Sequence, residues 1–345
     1  MRHFFLSVPV MGFTFLALSF SAHAQQDTTI TGVGSSFAAP IYQRWAASSQ
    51  SQTHIKLNYQ ALGSSAGQNQ IMNHTVDFGA SDVPLPPNKL EYNHLLQFPT
   101  ILGGIVPVVN IPNLKSGELH LTGEILANIF LGQITYWDDP TIQNINPHLK
   151  MPHLEVAPVH RADGSGTTFI FTSYLARHSK EWVKNAGAGT SITWPSGTGA
   201  KGNNGVASVV KNTEGSIGYV EYAYAHENAL TTPALKNRTG RFIEPNENSF
   251  AKAASSAHWE KAQNYEVDLL DTEGEEAWPI LSGTYVLLSK ENKNNLPVVQ
   301  FFSWAFDHGN PTAQSLFYIP LPNTVKNTIR TTVWNHAVSP SSSTP

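Results

Sequence analysis

Cysteine is absent from the 345 residues. No disulfide can brace the fold, and no thiolate can ligate a metal or act as nucleophile. The chain must therefore fold by packing alone, which its length permits. The same absence excludes a lipid-modified cysteine after export. Charge is also scarce, at 13% Asp, Glu, Lys and Arg with a formal net charge of −4. A mildly acidic surface has no electrostatic attraction for nucleic acid or for an anionic membrane. Outside the N-terminal segment, the longest apolar stretch runs Ile101-Leu-Gly-Gly-Ile-Val-Pro-Val-Val. It is too short and too glycine-rich to span a bilayer.

Several catalytic signatures are missing too. Gly197-Thr-Gly-Ala-Lys201-Gly202 has a glycine where a nucleotide-binding P-loop needs Ser or Thr after the lysine. Ser165 lies in Asp-Gly-Ser-Gly-Thr and not in a Gly-x-Ser-x-Gly elbow. His148, His153 and His160 lack the i, i+4 spacing of a helical zinc pair and read as surface histidines. No catalytic residue, metal site or cofactor is expected.

What is present begins with an export signal. Met-Arg-His precedes the apolar run Phe4 to Phe20, and Ser21-Ala22-His23-Ala24 places small residues where a signal peptidase reads. Pro9 interrupts the run and no basic stop-transfer cluster follows, so residues 1–24 are expected to be cleaved. With no lipid anchor available, a soluble periplasmic protein is the natural reading.

The mature chain alternates strand-like and helix-like segments, which argues an α/β fold. Three times a strand feeds a small polar loop and then a helix: Ile30–Val33 into Gly34-Ser35-Ser36-Phe37, Ile55–Tyr59 into Gly63-Ser64-Ser65, and Val76–Ala80 into Ser81-Asp82. A fourth case is Val156–His160, which leads into Arg161-Ala-Asp-Gly-Ser-Gly-Thr-Thr ahead of an apolar helical pattern. In open α/β sheets such loops gather beyond the carboxyl ends of the strands, where ligands bind. The first three loops are expected on one domain and the fourth on another, across a cleft. Thr122 reads as an N-cap with Gly132 past its helix, and Pro297–Gly309 and Pro322–Trp334 read as late helices.

The Arg161–Thr168 motif joins a guanidinium, hydroxyls and two glycines to a helix start, whose first N–H groups lack partners. That combination suits a tetrahedral oxyanion. Ser36 and Ser64 or Ser65 stand at helix N-cap positions, and capping alone is their ordinary role. Three such turns together point to a shared ligand. Asp82 would repel a fully ionised anion, unless it caps the helix that Pro84 begins. It would accept a hydrogen bond from a protonated anion, which separates hydrogen phosphate from sulfate.

The residue blocks identify a resemblance. Thr31-Gly-Val-Gly-Ser-Ser-Phe, Tyr59-Gln-Ala-Leu-Gly-Ser-Ser, Val76-Asp-Phe-Gly-Ala-Ser-Asp, Arg161-Ala-Asp-Gly-Ser-Gly-Thr, Lys201-Gly-Asn-Asn-Gly, Ile217-Gly-Tyr-Val-Glu-Tyr-Ala-Tyr and Ala277-Trp-Pro-Ile occur in order through the chain. Together they resemble the periplasmic phosphate-binding proteins of high-affinity phosphate ABC transporters. The resemblance implies a two-lobed Venus-flytrap fold of type II with two crossover strands. Lobe I would comprise residues 25–110 with 281–338, lobe II residues 111–280, and residues 339–345 a flexible tail. It implies phosphate held by Ser35, Ser36, Phe37, Ser64, Asp82, Arg161, Ser165, Gly166 and Thr167, with Asp163 and Gly164 in support. Ser36, Ser64 and Ser165 would each give a hydroxyl and an N–H, Phe37 an N–H, and Asp163 would orient Arg161. The implied partners are inorganic phosphate and the permease and ATPase subunits of the transporter, with the binding protein a monomer.

Two positions depart from the family pattern, which usually has threonine at Ser36 and proline at Ala38. The serine keeps the hydroxyl, and binding is expected to survive. A secreted phosphatase, or a binder of another oxyanion or of a phosphate ester, is the alternative reading.

Overall fold

The computed structural model describes residues 27–338. The expected signal segment 1–24 and the tail 339–345 lie outside the described residues.

The main sheet is built from β1 (Thr28–Gly34), β2 (Ile55–Gln60), β3 (Phe78–Ser81), β4 (Leu95–Val109), β6 (Ala157–Arg161), β7 (Thr198–Ala200), β8 (Ser216–Glu221) and β11 (Leu281–Ser289). β5 (His120–Leu121), β9 (Ala234–Lys236) and β10 (Phe242–Ile243) form a small second sheet. The order in the main sheet is β2-β1-β3-β11-β4-β8-β6-β7. β1 pairs in parallel with β2 and β3, and β6 in parallel with β8 and β7. The long strand β4 is antiparallel to β11 from Leu95 to Gly104, then to β8 from Ile105 to Val109. Such a strand, covered on both faces, is almost continuously apolar, as β4 is from Phe98 onward.

The molecule is thus a two-lobed α/β fold whose halves share one sheet. The change of partner on β4 falls between Gly104 and Ile105, upstream of the crossing expected at the end of the strand. Here Trp278, fully buried, donates its indole N–H to the Ile105 carbonyl at 3.0 Å. The second passage enters at Leu281, which pairs with Gly104.

Each half has its own aromatic packing. Tyr42, Phe78 and Phe302 meet edge to face in one half, with centroids 5.4 Å apart for Tyr42–Phe302 and 5.5 Å for Phe78–Phe302. In the other, Phe171 stacks on Tyr219 at 4.2 Å and meets Phe130 edge to face at 5.2 Å. Aromatic pairs of this kind add about 0.5–1.5 kcal/mol beyond their burial.

The strand–loop–helix units form as the sequence suggests, with helices Ala39–Thr53, Ser64–Met72 and Gly166–His178 following β1, β2 and β6. The third unit differs: its helix runs Pro87–Tyr92 behind the N-cap Pro86, so Asp82 caps nothing. Thr122 does cap helix Gly123–Phe130 by accepting from Ile125 N–H at 3.2 Å, and Gly132 follows at φ +75°. The late helices run Asn295–His308 and Asn323–Ile329, each opening just before or after its proline. Among the described residues no helix is long and apolar enough to cross a membrane.

Candidate functional site

The four polar loops converge where the halves meet. Ser35, Ser36, Phe37, Ser64, Asp82, Arg161, Ser165 and Thr167 are all buried, none more than 4% exposed. Gly166 is buried and Asp163 and Gly164 are half-buried beside them.

Helix Gly166–His178 presents its first turn to this junction. Ser165 is its N-cap, and its hydroxyl oxygen accepts from Thr168 N–H at 3.0 Å. A helix start leaves its first N–H groups without intrahelical partners, so those of Gly166 and Thr167 are available to an anion. The Ser165 N–H is not free, contrary to expectation: it donates to the Thr190 carbonyl at 2.9 Å, which fixes the cap. Tyr219 ties this turn to the strand before it. Its hydroxyl accepts from Arg161 N–H at 3.1 Å and lies 2.7 Å from the Thr168 hydroxyl.

Arg161 is held by a carboxylate from its own loop. Its Nε donates to Asp163 Oδ1 at 2.7 Å, its Nη2 to Asp163 Oδ2, and its Nη1 reaches Thr167 Oγ1 at 3.4 Å. Gly202 N–H also donates to Asp163 Oδ1, at 2.9 Å. Burial works to raise the Asp163 pKa, but the Arg161 hydrogen bonds and charge and the Gly202 N–H together hold it below the usual carboxylate value. The ion pair fixes the guanidinium so that it does not fold onto Asp82.

Asp82 is the opposite case. Burial raises its carboxyl above the ordinary aspartate value. The hydroxyls of Ser35 and Thr284, the charge of Arg161 and the Ser64 hydroxyl pull it partly back. Oδ1 accepts from Ser35 Oγ at 2.5 Å and from Thr284 Oγ1 at 2.7 Å, while Oδ2 has only a long contact of 3.3 Å from Ser64 Oγ. One oxygen is therefore saturated. The other faces helix Gly166–His178, so close that a Cβ on Gly166 would lie 2.8 Å from it.

The Ser35 hydroxyl is consequently engaged within the protein. Besides donating to Asp82 it accepts from Phe37 N–H at 3.0 Å and Ala38 N–H at 3.3 Å. It supports the carboxylate and the loop, and the Phe37 N–H expected for the ligand is shared with it. Neither Ser36 nor Ser64 is an N-cap: those positions fall on Ala38 and Gly63, without side-chain caps. Ser36 Oγ instead accepts from Asn203 Nδ2 at 2.9 Å, on helix Gly202–Asn212 across the junction.

The two halves are closed on each other. Ser65 N–H donates to the Gly164 carbonyl at 3.0 Å, and Ser65 Oγ lies 3.2 Å from Thr190 Oγ1. Gly63, at φ +96°, makes this approach possible. A Cβ there would lie 2.6 Å from Asp163 Oδ2, and its backbone occupies a region that side chains rarely adopt.

Residues outside the expected set complete the loop. The carbonyls of Ser35, Ser36 and Phe37 each accept a tyrosine hydroxyl at 2.6 Å, from Tyr59, Tyr224 and Tyr318 respectively. In a planar trans peptide the carbonyl and the following N–H point in opposite directions. Pinning three successive carbonyls outward thus directs the N–H groups of Ser36, Phe37 and Ala38 inward. The only sequence signal for Tyr59 and Tyr224 was their presence in the Tyr59 and Ile217 blocks, and Tyr318 had none.

An arrangement of backbone donors, one fixed guanidinium and one half-saturated carboxylate has the chemistry to suit a tetrahedral anion that carries a proton. Among the described residues no group of three or more His, Asp or Glu is placed to hold a metal ion.

A family profile described as a PBP superfamily domain matches residues 20–308. The chain is 47% identical over 315 residues to the phosphate-binding protein PstS of Pasteurella multocida, covering 90% of this chain and 92% of that one. It is also 47% identical to that of Haemophilus influenzae, covering 88% and 92%. The chain belongs to the PstS phosphate-binding proteins.

Solved structures agree on the fold at low identity. The phosphate-binding protein from Stenotrophomonas maltophilia superposes with a TM-score of 0.68 at 19% identity, over 88% of this chain and 93% of that one. A putative phosphate ABC transporter substrate-binding protein with bound phosphate from Clostridium perfringens gives a TM-score of 0.61 at 18% identity, over 86% of this chain and 100% of that one.

Proposed function

We propose that this PstS-family chain binds inorganic phosphate between its two lobes and delivers it to the permease of an ABC transporter, whose ATPase subunits drive import. The observation that carries the reading is Asp82. Its carboxylate stands opposite a helix start and a fixed guanidinium, with one oxygen saturated by Ser35 and Thr284 and the other facing the donors. A protonated phosphate satisfies that oxygen by donating to it. Sulfate offers only lone pairs and is repelled. Membership of the family supports phosphate as the ligand.

The contact set comprises the Ser36, Ser64 and Ser165 hydroxyls, the N–H groups of Ser36, Phe37, Gly166 and Thr167, the Thr167 hydroxyl, Arg161 and Asp82. Ser35, Asp163 and Gly164 act in support. Lobe I comprises residues 25–104 with 281–338 and lobe II residues 105–280, the division on β4 lying where its partner changes from β11 to β8 and not at residue 110. Binding is conformational: the open lobes admit the anion, and contacts made only on closure stabilise the closed state. The protein works as a monomer in the periplasm after loss of residues 1–24.

A phosphatase is the weaker reading. The Ser35 hydroxyl, which donates to Asp82, already accepts from Phe37 N–H and Ala38 N–H, so its lone pairs are engaged by its own loop and not free for attack. Titration calorimetry of the mature protein is expected to show tight binding of phosphate and none of sulfate, with no turnover of p-nitrophenyl phosphate. Tight sulfate binding would sink the proposal.

A further inference from the structure

Glu221 is fully buried at the end of β8, beside the point where β4 passes from one lobe to the other. Its position at the hinge is fixed by Ile105, its partner in the strand register, and by Asn203 Oδ1, which accepts its N–H at 3.0 Å. Oε2 accepts from Ala223 N–H at 3.0 Å and lies 2.9 Å from the Tyr318 hydroxyl, whereas Oε1 is buried with no partner.

The Tyr318 hydroxyl decides the protonation state. It has one proton, and it lies 2.6 Å from the Phe37 carbonyl, which can only accept. With that proton given to Phe37, the contact with Glu221 is a hydrogen bond only if Glu221 supplies the other proton. A buried carboxylate with one bare oxygen would also be costly, whereas a neutral acid tolerates it. We propose that Glu221 is the neutral carboxylic acid in the closed molecule, that it takes up its proton on closure, and that it is a positioning residue for the anion loop.

The donors then run in one direction from the hinge to the ligand carboxylate. Glu221 donates to Tyr318, and Tyr318 to the Phe37 carbonyl. On the far side of that peptide Ala38 N–H donates to Ser35 Oγ at 3.3 Å, and Ser35 donates to Asp82 Oδ1 at 2.5 Å. Each bond polarises the next. The chain has a proton at one end and a negative charge at the other. Ionising Glu221 would remove its first donor and set a second carboxylate near Asp82.

The surrounding groups favour the neutral form. Burial is the largest influence and raises the Glu221 pKa well above the usual glutamate value. The Ala223 N–H and Tyr318 oppose it, and Glu227 and Asp82, both negative, reinforce it. Tyr224, on the adjoining helix Tyr222–Glu227, is itself pushed up by burial and by Glu221, with Arg161 opposing. Arg161 is in turn paired with Asp163. Opening the lobes separates Glu221 from Tyr318 and exposes it to water, where it ionises at neutral pH. A group whose pKa is higher in the closed state favours closure fully below its open-state pKa. That advantage is lost as pH rises towards the closed-state value.

The inference rests on the phosphate reading for its ligand, and calorimetry separates the two. At a pH where free phosphate is the dianion, binding is measured in buffers of different ionisation enthalpy. The mature protein is expected to take up about one more proton per phosphate than Glu221→Gln, whose amide still donates to Tyr318. Its affinity should fall relative to the variant by up to about tenfold per pH unit through that window. Equal uptake in the two proteins overturns the proposal. Absence of any phosphate binding heat refutes the functional reading instead, and infrared spectroscopy then decides this one. The carbonyl stretch of a protonated carboxyl, shifted by 13C-glutamate labelling, is expected in the unsubstituted protein where small-angle scattering shows it compact, and not where it is open. Its absence from the compact state, or its persistence in the open one, overturns the proposal without requiring any variant to fold.

Discussion

At the scale of single residues, ligand identity depends on which lone pairs are already engaged. Asp82 offers one free oxygen because Ser35 and Thr284 hold the other. Replacing it by Asn removes the charge and presents a donor or an acceptor of nearly the same shape. Asp82→Asn is expected to weaken phosphate by roughly 1.5–3 kcal/mol, the worth of a charge-assisted hydrogen bond. Sulfate, no longer repelled, should begin to bind. Competition titrations with the two anions measure both effects, and unchanged rejection of sulfate would remove Asp82 from the selectivity argument. Asp82 was legible because a carboxylate in a donor-rich site is chemically odd. Its partner Thr284 was not, because it lies 202 residues away and meets Asp82 only through the pairing of β11 with β3. At the same place β11 slips register against β4, opposite Pro99 and Thr100. Proline cannot donate to the ladder, and a bulge turns neighbouring side chains.

At the scale of elements, the strand–loop–helix units could be read from hydrophobic alternation followed by small polar residues. The capping roles could not. Ser36 and Ser64 have the composition of N-caps, yet the helices begin two residues after Ala38's predecessor Phe37 and one residue after Gly63, leaving both hydroxyls pointed away from capping. Ser165 does cap, and its helix start comes so close to the opposite lobe that only glycine fits next to it. A Cβ on Gly166 would lie 2.5 Å from Ser64 Oγ and 2.6 Å from Asp82 Cβ. Gly166 itself has ordinary helical geometry, so an alanine there should leave the helix and the open protein sound. Gly166→Ala is expected to keep the melting temperature of the ligand-free protein within about 2 °C, since nothing but the closed contact changes. Phosphate affinity should fall at least about tenfold, because a clash confined to the closed state opposes closure. Small-angle scattering would show the variant failing to compact with phosphate. A variant that compacts and binds normally would mean that the observed approach of the two loops is not part of the bound state.

At the scale of the whole molecule, an acidic protein holds an anion at the junction of its lobes without any broad positive field. The formal net charge is −4, and the one guanidinium in the site is already paired with Asp163. Attraction must come from short-range sources: oriented N–H groups, hydroxyls and the helix start. Composition made this legible, since it ruled out a basic surface. It could not show that three tyrosines from distant segments direct the loop, because only the folded sheet brings Tyr59, Tyr224 and Tyr318 to one turn. The physical consequence concerns salt. Screening weakens interactions between exposed charges over about 10 Å at 0.1 M ionic strength, but reaches buried dipoles much less. Phosphate affinity should therefore change by no more than about threefold between low and high sodium chloride, with no steep loss of the kind seen when surface cations capture an anion. Calorimetry across that range tests the point. A steep salt dependence would transfer the main attraction from the closed junction to charges on the surface.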